Sequence, residues 1–168
     1  MRVTKLLFSL TALLLAGTIS YAQPSHPKSP HDTVKGKDIT ITYGRPYKKG
    51  REIFGANTQI APYGKVYRIG ADEATTVKFD KDVTFAGKPV KAGRYAMFGI
   101  PGEKEWTIIL NSKADQWGLA HDANKDKDIL SVTVPVKKLS TPVEQLTIKV
   151  GKDIAIMWDT VEVDIPVK

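Results

Sequence analysis

From Ile39 to the C-terminus, apolar residues recur at every second position for a few residues and then stop at a turn signal. Ile39, Ile41 and Tyr43 alternate with Thr40 and Thr42, and Thr75, Val77 and Phe79 alternate with Thr76 and Lys78. Trp106, Ile108 and Leu110 follow, then Leu130, Val132, Val134 and Val136, then Leu146, Ile148 and Val150, and finally Val161, Val163, Ile165 and Val167. A period of two puts alternate side chains on opposite faces, so each run reads as a half-buried strand. Residues 65–69, 83–85, 94–100 and 154–158 read as further short strands. Asp80-Lys81-Asp82, Gly87, Gly93, Pro101-Gly102-Glu103 and Gly151-Lys152-Asp153 supply the turns between them. No segment carries a long helical period. About nine or ten strands at roughly 8–12-residue spacing predict an all-β fold, an antiparallel β-sandwich or jelly roll, with a closed barrel as the alternative. Pro135 and Pro166 predict an edge strand or a strand end, because proline has no N–H to give a ladder.

One stretch breaks the pattern. Residues 44–64 form a long irregular connection punctuated by Gly50, Gly55, Pro62 and Gly64. Connections of this length in a compact domain are usually functional or disordered. This one holds Tyr47, Ile53, Phe54, Ile60 and Tyr63, so it is expected to pack against the domain.

The N-terminus reads as a secretory signal peptide. Arg2 and Lys5 precede an apolar run over residues 6–19, and Ser20 and Ala22 stand where a signal peptidase reads small residues. Cleavage is expected before Gln23, which takes 22 residues from 168 and leaves 146, a length that suits one domain. The apolar run is short for a span of ~20 residues and no stop-transfer charges follow it, so no membrane span is expected after cleavage. Residues 23–37, with three prolines and two histidines, read as an extended leader, and residues 38–168 as a single β domain. The chain has no cysteine, which removes disulfides, thiol chemistry and a lipoprotein anchor, and favours a Gram-negative periplasm. Removing Arg2 and Lys5 lowers the net charge from +7 to +5. The remaining bases alternate with acids, without the basic stripe and stacking aromatics that nucleic acid needs.

Arginine is the informative residue type. The mature chain has four, Arg45, Arg51, Arg68 and Arg94, and three lie within residues 43–79. Arginine is preferred over lysine where a planar fork must hold a carboxylate or phosphate. Asp72 and Glu73 follow Arg68 closely, so the five groups are expected to meet on one rim, or to pin the long loop through an internal ion-pair network. Arg68 is expected in the structural role, with Arg45 and Arg51 as ligand contacts. Trp117, Tyr47, Tyr63 and Tyr67 are aromatics placed to stack on a ligand or cap the sandwich. No HExxH and no Gly-x-Ser-x-Gly elbow is present, and no nucleophile–histidine pair is legible. The acids Asp122, Asp126 and Asp128 have the spacing that opens a calcium loop. However, Lys127 stands where glycine is required and Thr133 where the bidentate glutamate belongs. No metal and no cofactor is expected.

Tyr43-Gly44-Arg45-Pro46, then Lys49-Gly50-Arg51-Glu52-Ile53-Phe54-Gly55, then Pro62-Tyr63-Gly64-Lys65-Val66-Tyr67-Arg68-Ile69-Gly70-Ala71-Asp72-Glu73-Ala74-Thr75 form a dense signature. With Ala92-Gly93-Arg94-Tyr95, Glu105-Trp106-Thr107, Trp117-Gly118 and Met157-Trp158-Asp159-Thr160, the chain resembles a domain-of-unknown-function family of exported bacterial proteins. The resemblance runs from about Ser29 to Lys168. It implies export and marks residues 45–73 as the family signature, but it implies no activity. Four positions depart from the family pattern: Gly44 stands where serine is common, Tyr67 where tryptophan is, Ile69 where threonine is, and Asp72 where asparagine is.

These features point first to an exported, non-enzymatic β-sandwich that binds a small polar or glycan-like ligand, or an envelope partner. Its candidate contacts are Arg45, Arg51, Tyr63, Arg68, Asp72, Glu73 and Trp117. The alternatives are a hydrolase using Asp72 or Glu73 with a nearby arginine, and a purely structural envelope protein.

Overall fold

The structure, a computed structural model, describes residues 29–168, so the signal peptide and residues 23–28 of the leader lie outside the described residues. Eleven strands follow one another: β1 (His31–Gly36), β2 (Ile39–Gly44), β3 (Phe54–Gly55), β4 (Ala61–Pro62), β5 (Thr76–Phe79), β6 (Val83–Phe85), β7 (Lys88–Val90), β8 (Gly93–Ile100), β9 (Glu105–Asn111), β10 (Asp128–Val150) and β11 (Asp153–Pro166). A short 3-10 helix, Asp122–Lys127, precedes β10. The fold is all-β, as the alternation predicts. The main sheet is antiparallel with order β1-β2-β5-β8-β9-β10-β11, and β3-β4 and β6-β7 form two small sheets. No helix among the described residues is long and apolar enough to cross a membrane.

Several elements differ from the sequence expectation. β3 and β4 lie within the connection read as irregular, β7 lies in the region read as a turn between Gly87 and Gly93, and the run at 154–158 and the one that starts at Val161 form one strand, β11. Residues 31–36, placed in the leader, form edge strand β1, paired with β2 from His31↔Gly44 to Gly36↔Ile39. An edge strand facing solvent needs few apolar residues, and only Val34 marks this one. Residues 65–69 do not form a strand. Tyr67 alone bridges Gly99, and the chain turns at Ile69, whose φ is 48°. Finally, the runs at 129–136 and 146–150 belong to one 23-residue strand, β10.

β10 joins the two layers. Its first part pairs with β9 as far as Pro135↔Glu105, and its second with β11 from Val136↔Val163 to Val150↔Ile154. Pro135 therefore stands where the ladder changes partner, a place that tolerates a missing N–H. Register shifts between Lys138 and Thr147 mark irregular pairing, and extra residues of this kind bend a strand. The far part of β10 thus returns to the start of the chain. Leu146 donates its amide to the Pro46 carbonyl at 3.0 Å, and Lys48 donates to the Glu144 carbonyl at 2.7 Å. At the other end of the layer, Thr84 of β6 and Lys168 exchange backbone hydrogen bonds. The result is sandwich-like. β1, β2, β5, β8, β9 and the first part of β10 face the second part of β10, β11, β6 and β7.

Inward residues of both layers fill one core. Ile41, Val77, Met97, Ile108 and Leu110 meet Leu146, Ile148, Ile156, Trp158 and Val163. Phe54, from the long connection, closes one end against Trp106, with ring centroids 5.1 Å apart, and against Tyr67 and Trp158. The outer face of β8 and β9 is covered too, by Ala74, Phe98 and Ile109 under the loop after β9. A polar network pins that loop. Asn111 Nδ2 donates to the Asn124 carbonyl and to Asp128 Oδ1, both at 2.8 Å. Gln116 Nε2 donates to Asn111 Oδ1, and His121 Nε2 meets the Asp128 carboxylate at 3.0 Å while its ring packs on Phe98.

Tyr43 clamps the two layers, since the Ile148 amide donates to its hydroxyl at 3.0 Å in the buried interior. Tyr43→Phe strands that amide. It should lower the urea midpoint by the equivalent of ~1–3 kcal/mol with an unchanged m-value. A midpoint equal to the parent would show that the clamp carries no stability.

Candidate functional site

The signature turn is built by the core. Tyr67 is buried, and its amide and carbonyl pair with Gly99 at 2.6 and 2.8 Å. Ile69, two residues on, is fully buried against Gly99. Arg68 lies between them and is left partly exposed. Burying Ile69 forces it to φ 48°, and Asp72 follows at φ 65°. A left-handed backbone at a β-branched residue is an outlier that costs roughly 1–3 kcal/mol. Thr75 Oγ1 donates to the Ile69 carbonyl at 2.7 Å and fixes the turn from below. Gly44 admits it from the side, since a Cβ there would lie 2.3 Å from the Ala71 carbonyl oxygen.

Beside this turn lies a groove of about 370 Å³, lined by Arg51, Gln59, Ile60, Val66, Tyr67, Arg68, Gly70, Leu119 and Trp158 among others, with no acidic residue in its wall. Arg68 donates Nε–H to the Gly70 carbonyl at 3.2 Å, and its guanidinium carbon lies 5.8 Å from the centre of the Trp117 ring. Arg51 donates Nε–H to the Lys48 carbonyl at 2.9 Å and one Nη to the Tyr47 carbonyl. Neither guanidinium pairs with a carboxylate among the described residues, so both Nη groups of Arg68 and one of Arg51 remain open. The hydroxyl of Tyr67 is buried without a hydrogen-bond partner. Burial pushes its pKa well up; Arg68 and the nearby Gly70 amide oppose this, although neither is hydrogen-bonded to the oxygen. The phenol therefore stays protonated and has a proton to donate.

The other expected contacts lie elsewhere. Arg45, expected to meet a ligand, is a structural tie: Nη1 meets Asp32 at 3.2 Å, Nε donates to the Leu146 carbonyl at 3.1 Å, and Nη2 to Thr147 Oγ1 at 3.1 Å. It thereby stitches β1 and β2 to β10. Arg68, expected in an ion-pair network with Asp72 and Glu73, meets neither, because the left-handed turn at Asp72 carries both acids towards β1. Asp72 Oδ2 accepts the Ser29 amide at 3.0 Å and lies 3.8 Å from His31 Nε2, while Glu73 lies 3.3 Å from the same nitrogen. Glu73 and His31 line a second cavity of about 450 Å³ with Arg94, which is paired with Asp115. Tyr63 is outside the groove lining; its pKa is raised by partial burial, then by Glu103 and Glu52. Trp117 is 49% exposed and Leu119 73%, both beside the groove. The structure thus brings together Arg51, Arg68 and Trp117 and adds Tyr67. In the sequence Tyr67 fell in the stretch 65–69 read as a strand, and nothing there marks its hydroxyl as unpartnered.

Among the described residues no group of three or more His, Asp or Glu is placed to hold a metal ion. Asp128 serves the polar network, and Asp126 pairs with Lys127.

Two substitutions separate the arginine roles. Arg45→Ala removes three hydrogen bonds between strands and should cost ~1–3 kcal/mol in a denaturation curve, whereas Arg68→Ala should cost ~0–1 kcal/mol. The reverse order would contradict the assignment.

Comparison with curated proteins and with solved structures gives no significant match. A family model described as a protein of unknown function, DUF2911, matches residues 25–167. That span is nearly the whole chain, and the chain belongs to the DUF2911 family of proteins of unknown function.

Proposed function

We propose that this protein is an exported, non-enzymatic binding module of the cell envelope, and that the groove beside Arg68 takes a small polar ligand. One observation carries this reading: Arg51 and Arg68, whose guanidiniums meet no carboxylate among the described residues and keep open donors, line an acid-free groove. Guanidinium donors that meet no carboxylate among the described residues are where an acceptor of opposite charge belongs. The strained backbone at Ile69 supports it, because strain of this kind concentrates at functional sites. The signal-peptide pattern and the cysteine-free composition support export.

A hydrolase is the second reading, and its specific support is His31. Its Nδ1 donates to the Ser29 carbonyl at 2.8 Å, while Nε2 faces Asp72 and Glu73 beside the second cavity. The carboxylates of both residues thus meet at one imidazole, the kind of convergence an acid–base pair needs. No nucleophile is paired with this imidazole among the described residues.

A thermal-shift screen of the purified protein against sugars, organic acids, phosphates and metal ions tests the binding reading. A ligand at 100 times its Kd stabilises the native state by ~2.7 kcal/mol, enough to raise Tm by several degrees. The expected result is a rise with at least one compound that disappears in the Arg51→Ala/Arg68→Ala double variant. No rise with any compound, or a rise that survives the double substitution, would count against the groove. Turnover of a compound that is lost in Glu73→Gln would favour the hydrolase.

A further inference from the structure

We infer that the groove is selective for a small carboxylic acid with an apolar body, its carboxylate held between Arg68 and Arg51. This rests on the binding reading and names the ligand class for the same groove.

The charge balance excludes a neutral ligand as the best fit. Two guanidiniums share a wall that contains no acid, so in the free protein their repulsion is unrelieved by any carboxylate among the described residues. A sugar hydroxyl can accept a hydrogen bond there but leaves both charges uncompensated. An anion satisfies the donors and the charges together.

Donor geometry favours a planar anion. The Gly70 carbonyl holds Arg68 by Nε, and Trp117 lies 5.8 Å from its guanidinium carbon, so the guanidinium plane is oriented while its Nη edge is left open. That edge matches a carboxylate in a parallel, two-bond arrangement. Arg51, fixed by the Lys48 and Tyr47 carbonyls, offers one further Nη. The Tyr67 ring lines the groove while its hydroxyl is buried beneath the wall, so the open donors of the groove are those of the two arginines.

The rest of the wall selects the body. Ile60, Val66, Leu119 and Trp158 line the same groove, and Val66 and Leu119 are 38% and 73% exposed. An apolar body would cover them, whereas inorganic phosphate would not. At about 370 Å³ the groove suits a ligand of one ring or a short chain, since pockets for drug-sized ligands run from ~300 to 1,000 Å³.

The test is isothermal titration of the purified protein with acetate, hexanoate, phenylacetate, phenylacetamide, glucose and inorganic phosphate. Phenylacetate or hexanoate should bind one to one, with acetate weaker. Phenylacetamide should bind at least about tenfold more weakly than phenylacetate, because it loses the charge-assisted pair. Arg68→Ala should weaken phenylacetate by at least about tenfold with little change in Tm. Equal binding of the amide, or no binding of any of the three acids, overturns the inference. If glucose or phosphate binds instead and depends on Arg68, only the ligand class is wrong. If none of the six binds, the groove itself is refuted as a site for ligands of this kind.

Discussion

Arg68 is presented to the groove because its neighbours on both sides are anchored in the core. Tyr67 stacks along Trp158, with centroids 6.5 Å apart and ring planes 21° apart, and meets Trp106 edge-on. Ile69 is buried completely. Fully burying a side chain of that size contributes ~1.5–3 kcal/mol, which offsets the ~1–3 kcal/mol of backbone strain at φ 48°. Strain and burial are thus of the same size, and the turn exists because they are coupled. The same turn sends Asp72 and Glu73 to β1 and leaves Arg68 without a carboxylate among the described residues.

The groove forms where three separately stabilised parts meet. The aromatic end of the core supplies Tyr67 and Trp158. The long connection supplies Arg51 and Ile60, and it is held down by Phe54 in the core and by the backbone bonds to the far part of β10. The loop after β9 supplies Leu119 and brings Trp117 over Arg68. Asn111, Gln116, Asn124, His121 and Asp128 pin it. Gly118 lets that loop close, because a Cβ there would lie 2.3 Å from Arg68 Cδ. Sites supported by rigid parts on several sides hold donors in fixed geometry, which lowers the entropy lost on binding.

Strands buried against the main core were legible in the sequence: β2 follows its alternation, and Val77, Phe79, Trp106, Ile108 and Leu110 are buried as read, whereas the burial of Thr76 and Ile109 on the opposite face was not legible. β1 was not, because an edge strand needs little apolar surface. The unity of β10 was not, because a strand that changes partner at Pro135 loses its alternation where it bends. In the site, residue type was informative and pairing was not. Arg51, Arg68 and Trp117 stood out as residues a framework does not require. Two of the three partners of Arg45, Leu146 and Thr147, lie about a hundred residues away on β10, set by a register that no local pattern encodes. Four residues of the signature stretch fall on one joint: Gly44 meets Ala71 backbone to backbone, Ile69 and Asp72 have positive φ, and the Tyr67 hydroxyl is buried with no hydrogen-bond partner among the described residues.

The proposed site is tested most directly by nitrogen-detected NMR of the arginine side chains while phenylacetate is added. The Nε and Nη resonances of Arg68 and Arg51 should move together and saturate, while those of Arg45, already satisfied by Asp32, Leu146 and Thr147, stay in place. Stationary Arg68 resonances, or movement confined to Arg45 or Arg94, would contradict it.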